Sequence, residues 1–149
     1  MKKGLILCLT MAVILMGLVG CTSNELGTTS NRATVEVSID DFMNVNSISR
    51  EVEVVKGGTV TVILGSNQTT GFQWSEDAVI GDTTILEQTN HKYVSPEADN
   101  QVVGAAGNEQ WTFKALKAGT TTVAMEYSRP WEGGEKGAWK FNLTITVQP

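Results

Sequence analysis

Residues 59–74 read TVTVILGSNQTTGFQW, and this stretch decides the fold. Its first six residues mix threonines with apolar side chains at a spacing of two, which is typical of a strand with one buried face. The following residues are small or polar, and Gly71 permits a positive φ before aromatic side chains return at Phe72 and Trp74. The stretch therefore predicts a strand, an exposed loop and a second strand.

The same spacing of two recurs along the chain from Ala33 onward, and no segment there shows helical periodicity. Residues 83–94 are predicted as one irregular strand or two short ones. Seven or eight short strands separated by glycine-rich turns favour an all-β, immunoglobulin-like β-sandwich over a small barrel. The residues predicted to face the core are Val35, Val37, Ile39, Val52, Val54, Val60, Val62, Leu64, Trp111, Phe113, Val123, Met125, Tyr127, Phe141, Leu143, Ile145 and Val147.

The N-terminal residues have the composition of an export signal. Lys2 and Lys3 precede a short apolar run, and a small residue stands directly before Cys21, which resembles a bacterial lipobox. Residues 1–20 are therefore predicted to be a lipoprotein signal peptide, with an uncleaved signal anchor as the alternative. Residues 21–32 are the lipidated N-terminus and a flexible tether, and residues 33–149 are the domain. The protein is then exported and lipid-anchored to the bacterial cell envelope through Cys21.

Composition excludes several functions. The formal net charge is −5 and no basic patch appears, which argues against nucleic-acid binding. Cys8 leaves with the signal and Cys21 is consumed by lipid, so the mature domain has neither a disulfide nor thiol chemistry. With His91 as the single histidine, no catalytic triad or metal cluster can be assembled. We expect no enzyme activity, no metal, no cofactor and a monomeric domain.

Two further loops have compositions suited to contact with a partner. Residues 104–107 read GAAG and stand just before an aromatic strand, and their nearly bare backbone allows close approach of another main chain. Residues 127–134 read YSRPWEGG, in which Pro130 fixes its own φ and holds Arg129 extended. Trp131 therefore stands on a stiffened backbone, either as an anchor for a partner or folded back onto the core.

Taken together, the three loops resemble those of the chagasin family, which are proteinaceous inhibitors of papain-like cysteine peptidases. The family pattern is Asn-Pro-Thr-Thr-Gly-aromatic-x-Trp, then Gly-x-x-Gly before an aromatic strand, then Arg-Pro-Trp. Here residues 67–74 read NQTTGFQW, residues 104–107 read GAAG and residues 129–131 read RPW, in the same order. The one departure is Gln68, which stands where the family has proline.

The resemblance implies an immunoglobulin-like sandwich with the three loops at one end, forming a wedge that enters the peptidase cleft. The first loop would sit over the catalytic cysteine, the other two would grip the cleft on either side, and Trp131 would stack on aromatic enzyme surface. Inhibition would be reversible, non-covalent occlusion. The implied peptidase-binding residues are Asn67, Gln68, Thr69, Thr70, Gly71, Phe72, Gly104, Ala105, Ala106, Gly107, Arg129, Pro130 and Trp131.

The alternative function is a surface-anchored carbohydrate-binding or adhesive module. It would use the four tryptophans, Trp74, Trp111, Trp131 and Trp139, as a sugar-stacking surface. The spacing of two argues against this for Trp111, because it shares a face with Phe113 and is predicted to be in the core.

Overall fold

The computed structural model describes residues 30–96 and 104–149. The predicted signal peptide, Cys21 and most of the predicted tether lie outside these residues. Within the described ranges, no helix has the length and apolar character needed to cross a bilayer.

The described chain forms two β-sheets packed face to face, with strands of two to ten residues. One sheet has the order β1-β3-β7-β6, and the other has the order β2-β9-β8-β4 with β5 paired to β8. The strands are β1 Arg32–Val37, β2 Ser47–Val55, β3 Thr59–Ser66, β4 Gln73–Trp74, β5 Val79–Ile80, β6 Leu86–Val94, β7 Gly107–Ala115, β8 Gly119–Ser128 and β9 Trp139–Gln148.

The all-β sandwich predicted from the sequence is confirmed. Seven of the nine strands have six or more residues, and the two-residue strands β4 and β5 add two short pairings along β8. Residues 83–94 supply one strand, β6, whose irregularity is a register shift between Gln88 and Asn90.

The core lies between the sheets, where alternate residues of the long strands point inward. Trp111, Phe113 and Phe141 are fully buried, and Tyr127 is almost so. These positions were predicted from the spacing of two, which works here because each sheet packs one face on the other and turns the opposite face to solvent.

One predicted core position is wrong. Ile39 does not continue β1 but begins the four-residue helix α1, Ile39–Phe42, and is only half-buried. The helix begins there because the Ser38 hydroxyl accepts a hydrogen bond from the Asp41 N–H, while the Asp41 carboxylate accepts one from the Ser38 N–H at 2.9 Å. Hydrogen bonds from the Ser38 hydroxyl and N–H hold the pKa of Asp41 below its ordinary value. Phe42, rather than Ile39, enters the core.

The strand register brings the candidate loops to one end of the sandwich. Ser66 at the end of β3 pairs with Gly107 at the start of β7, so the first loop begins where the second loop ends. At the same end, Tyr127 near the end of β8 pairs with Trp139 at the start of β9, and residues 129–138 connect these strands. The three loops predicted to act together therefore lie at one edge of the molecule.

Candidate functional site

The first loop is a single turn of 3-10 helix, Gln68–Thr70, capped at both ends. The Asn67 side-chain oxygen accepts hydrogen bonds from the Thr69 N–H at 3.2 Å and the Thr69 hydroxyl at 2.6 Å. The Thr70 hydroxyl donates to the Asn67 carbonyl at 2.6 Å. Gly71 ends the turn in the left-handed conformation, with φ +80°. The tip is thus a compact, internally bonded turn with exposed threonines.

Asn67 also fixes the first loop to its surroundings. Its side-chain amide donates to the Gly104 carbonyl at 3.1 Å, which joins the first loop to the second. Its backbone N–H donates to the Tyr127 hydroxyl at 2.9 Å, which ties the loop to the end of β8. One residue therefore contacts three parts of the site, which explains why asparagine is needed: its amide both donates and accepts.

The second loop has less exposed backbone than predicted. Gly104, at φ +89°, and Ala106 are exposed and Ala105 is half-buried, but Gly107 belongs to β7 and is buried. A Cβ on Gly107 would lie 2.5 Å from both the Tyr93 hydroxyl and the Val94 carbonyl oxygen. Gly107 is therefore buried and is required for close packing against β6, while its predicted role in peptidase binding stays a prediction.

The third loop is braced against the first by Arg129. Its guanidinium lies 4.3 Å from the centroid of the Phe72 ring, and it donates to the Thr70 carbonyl at 3.4 Å. Arg129 is half-buried, so it holds the two loops together as well as bordering the surface.

Lys136, an exposed residue of the third loop, bonds back to the backbone of that loop. Its ammonium donates to the carbonyls of Arg129 at 2.6 Å and Trp131 at 3.0 Å, and the Arg129 N–H donates to the Glu135 carbonyl at 2.8 Å. The segment that carries Trp131 is therefore held by hydrogen bonds on both sides, in addition to the φ restriction of Pro130.

Trp131 does not fold back onto the core: its side chain is 51% exposed. Its ring edge lies against Gly71, where an added Cβ would meet Trp131 Cη2 at 2.5 Å. The indole thus stands beside the first loop, with one edge against Gly71 and about half of its side chain exposed to solvent.

The loops rest on a stack of aromatic rings. Phe72 stacks on Tyr127 with centroids 5.4 Å apart, and Tyr127 stacks on Trp139 at 4.7 Å. Trp74 packs on Tyr127 at 5.1 Å and is buried. This stack gives the site a rigid base.

The sugar-stacking surface of the alternative function does not form. Trp74 and Trp111 are buried, and Trp139 is half-buried beneath Tyr127 and Phe42. In the described ranges, no three His, Cys, Asp or Glu side chains come close enough to hold a metal ion.

Comparison with known proteins identifies the family. Residues 53–145 match the model of the chagasin family of peptidase inhibitors, I42. This protein belongs to the chagasin family.

Among its relatives, chagasin of Trypanosoma cruzi is 32% identical over 94 residues, which are 62% of this chain and 84% of chagasin. Amoebiasin-2 of Entamoeba histolytica is 30% identical over 118 residues, which are 79% of this chain and 80% of the relative. Superposed on the crystal structure of EhICP2, a cysteine protease inhibitor from Entamoeba histolytica, this chain gives a TM-score of 0.56 at 20% sequence identity. The match covers 78% of this chain and 97% of EhICP2. Membership confirms the predicted inhibitor function, and the structural likeness confirms the fold.

The sequence analysis did not identify three residues that support the loops of this candidate site. Tyr127 was predicted only as a core residue, and its hydroxyl contact with Asn67 was not foreseen. Lys136 was not considered. Glu109 was also missed, although a signal was present: it shares the inward face of β7 with Trp111 and Phe113, where a carboxylate is out of place unless it is hydrogen-bonded.

The Gly71–Trp131 contact predicts a specific effect of adding one methyl group. Gly71→Ala and Gly133→Ala both place alanine at a positive φ, +80° and +73°, which costs about 1–2 kcal/mol in each case. Only the Cβ added at Gly71 meets Trp131, because nothing lies within 4 Å of a Cβ on Gly133. Because Cη2 is the outer edge of an exposed indole that can shift, we expect Gly71→Ala to lower the free energy of unfolding by only about 0.5 kcal/mol more than Gly133→Ala does.

Denaturant titration measures this difference, and the same comparison in a Trp131→Ala background provides the control. The extra cost of Gly71→Ala should disappear there, because the indole that it meets is gone. An equal effect of the two glycine substitutions in the wild-type background would contradict the contact.

Proposed function

We propose that this protein inhibits papain-like cysteine peptidases reversibly and non-covalently, acting as a monomer whose three loops occlude the active-site cleft. The observation that carries the proposal is the cross-linking of the loops: Asn67 joins the first to the second, and Arg129 joins the first to the third. Loops that are held together before binding lose little conformational freedom on docking, which favours affinity.

The structure of the first loop supports occlusion rather than slow cleavage. A peptidase cleaves a backbone that lies extended across its catalytic residues, whereas residues 68–70 form a helical turn. The hydroxyls of Thr69 and Thr70 donate within the loop, so they help to hold the turn. The exposed tip can then cover a catalytic cysteine without presenting a peptide bond in a reactive pose.

Titration of papain with the soluble domain, residues 22–149, tests the proposal. Activity should fall stoichiometrically at enzyme concentrations above the inhibition constant and recover on dilution. A serine peptidase and a metallopeptidase assayed in parallel should be unaffected. Full papain activity at micromolar concentrations of folded domain would refute the proposal.

Trp131 is expected to be an energetic anchor of the interface. Trp131→Ala should weaken papain inhibition by about 2 kcal/mol or more, because exposed aromatic anchors on rigid loops are typical hot spots. By the relation of tenfold per 1.4 kcal/mol, the inhibition constant should rise about 30-fold.

The matched control for this variant is Val79→Ala, since Val79 is 71% exposed and lies on β5, away from the loops. This control should leave inhibition unchanged, and neither variant should shift the melting temperature appreciably. A large loss of stability in Trp131→Ala with unchanged inhibition would contradict the anchor role.

Gln68 occupies a position that accepts proline. It is the first residue of the 3-10 helix, where φ lies near −50° to −70° and matches the proline ring. Among the described residues, no acceptor is found for the Gln68 N–H, so proline removes no hydrogen bond seen here.

We therefore expect Gln68→Pro to tighten papain inhibition by about 0.4–1 kcal/mol, a two- to fivefold lower inhibition constant, because the free loop has fewer conformations to lose. The inhibition constants of the wild type and of Gln68→Pro against papain, measured side by side, decide whether proline tightens or weakens inhibition. Weaker inhibition together with a lower melting temperature would show that the Gln68 N–H is needed in the turn.

We also propose that Cys21 is lipid-modified and anchors the exported domain to the bacterial cell envelope. The supporting observation is the order of a dibasic start, a short apolar run and a small residue before Cys21. Cys21→Ser should abolish acylation and move the protein out of the membrane fraction, whereas Cys8→Ser, within the signal, should not. Mass spectrometry that finds unmodified Cys21 in the mature wild-type protein would refute lipidation.

A further inference from the structure

A buried carboxylate lies directly beneath the proposed inhibitory loops. Glu109 on β7 is 1% exposed, among the large apolar side chains of the core. Burying a carboxylate is unfavourable unless hydrogen bonds replace its water. Both of its oxygens have protein partners, and each partner lies on a different strand.

The Oε1 atom of Glu109 joins the two stems of the first loop. It accepts from the Ser66 hydroxyl at 2.7 Å and from the Trp74 backbone N–H at 3.0 Å. Ser66 is the last residue of β3 in one sheet, and Trp74 is the last residue of β4 in the other. A single oxygen therefore sets the spacing of the two points at which the loop leaves and rejoins the sandwich.

The Oε2 atom is held by His91 on β6. The His91 Nε2 lies 3.0 Å from Oε2, and the imidazole packs on the Trp111 ring with centroids 4.8 Å apart. A carboxylate only accepts, so Nε2 carries the hydrogen and donates. This bond orients the carboxylate in its plane, which directs Oε1 toward Ser66 and Trp74. The His91 side chain is 17% exposed, so it lies at the edge of the core.

The second loop depends on the same residue. Glu109 is two positions beyond Gly107, where β7 begins, and Leu64 lies opposite it on β3. Fixing Glu109 against Ser66 therefore also fixes the start of β7 relative to the end of β3. The first and second loops leave the sandwich at these two points.

We propose that Glu109 is a positioning residue for peptidase inhibition: its carboxylate, oriented by His91, sets the conformation of the first loop through Ser66 and Trp74. The inference rests on the proposed function, because it explains how the loop over the catalytic cysteine is held in its binding shape. Glu109 itself is buried and does not touch the peptidase.

Three variants test the role against papain. Glu109→Met keeps a similar volume but removes the acceptors of all three hydrogen bonds. The inhibition constant should therefore rise about tenfold or more, since the loss of even one such bond can cost about 1.4 kcal/mol. Glu109→Gln keeps an acceptor oxygen for Ser66 and Trp74, and its amide NH2 can donate to His91 Nε2 once the imidazole carries its hydrogen on Nδ1. It should therefore restore inhibition to within about threefold of wild type. Ser66→Ala removes one donor and should raise the inhibition constant by a smaller factor than Glu109→Met.

Loss of stability alone must be separated from loss of positioning. Val60→Ala lowers stability by a cavity in β3 at a position that is fully buried and far along the strand from the loop. All inhibition constants are measured at a temperature where circular dichroism shows every variant folded. Val60→Ala should then inhibit like wild type, whereas Glu109→Met should not. Hydrogen exchange at the Trp74 and Thr69 amides should accelerate in Glu109→Met and Ser66→Ala but not in Val60→Ala.

The outcomes distinguish the two proposals. If the wild-type domain inhibits papain but Glu109→Met and Val60→Ala have equal inhibition constants, the positioning role is overturned and the proposed function stays intact. A Glu109→Gln variant as weak as Glu109→Met would also overturn it, because an acceptor oxygen would then not suffice. Failure of the wild-type domain to inhibit papain would refute the proposed function instead. If Glu109→Met does not fold, Ser66→Ala decides: unchanged inhibition and unchanged amide exchange would overturn the role.

Discussion

β3 and β7 pair antiparallel with Ser66 opposite Gly107, and the geometry of the edge that carries the three loops depends on this register. A shift by one residue would turn the inward side chains of β7 outward, because strand side chains alternate between the two faces. Glu109 would then lose Ser66 and Trp74, and Trp111 would leave the core. The packing of Trp111 and Phe113 between the sheets therefore stabilises the register that also aligns the first two loops.

Above the aromatic stack, the loops are joined to one another by polar contacts. Asn67 and Arg129 join them at the surface, and Lys136 braces the third loop through two backbone carbonyls. Such contacts are individually modest, but each removes conformations that would otherwise have to be given up on binding a peptidase. This arrangement leaves Trp131 and the threonine tip exposed while the backbone beneath them is already ordered.

Most of the fold was predictable from local patterns. The spacing of two in β7, β8 and β9 correctly identified Phe113, Met125 and Leu143 as core residues, because a half-buried strand must alternate. The errors occurred where a local interaction competes with the pattern. Ile39 continues the apolar spacing of β1, but the reciprocal hydrogen bonds of Ser38 and Asp41 begin a helix there instead. Gly107 belongs to a glycine-rich loop by composition, but close packing against Val94 makes it the start of a strand.

The sequence by itself determined the family, the sandwich and the identity of the three loops, since these follow from motif order and from periodicities that act over a few residues. Only the tertiary structure decided how the loops are joined and supported, because those contacts link residues far apart in the chain. The Asn67–Gly104 and Ser66–Glu109 hydrogen bonds span 37 and 43 positions. No local pattern specifies such pairs, since they exist only after strand register has placed both partners at the same end of the sandwich.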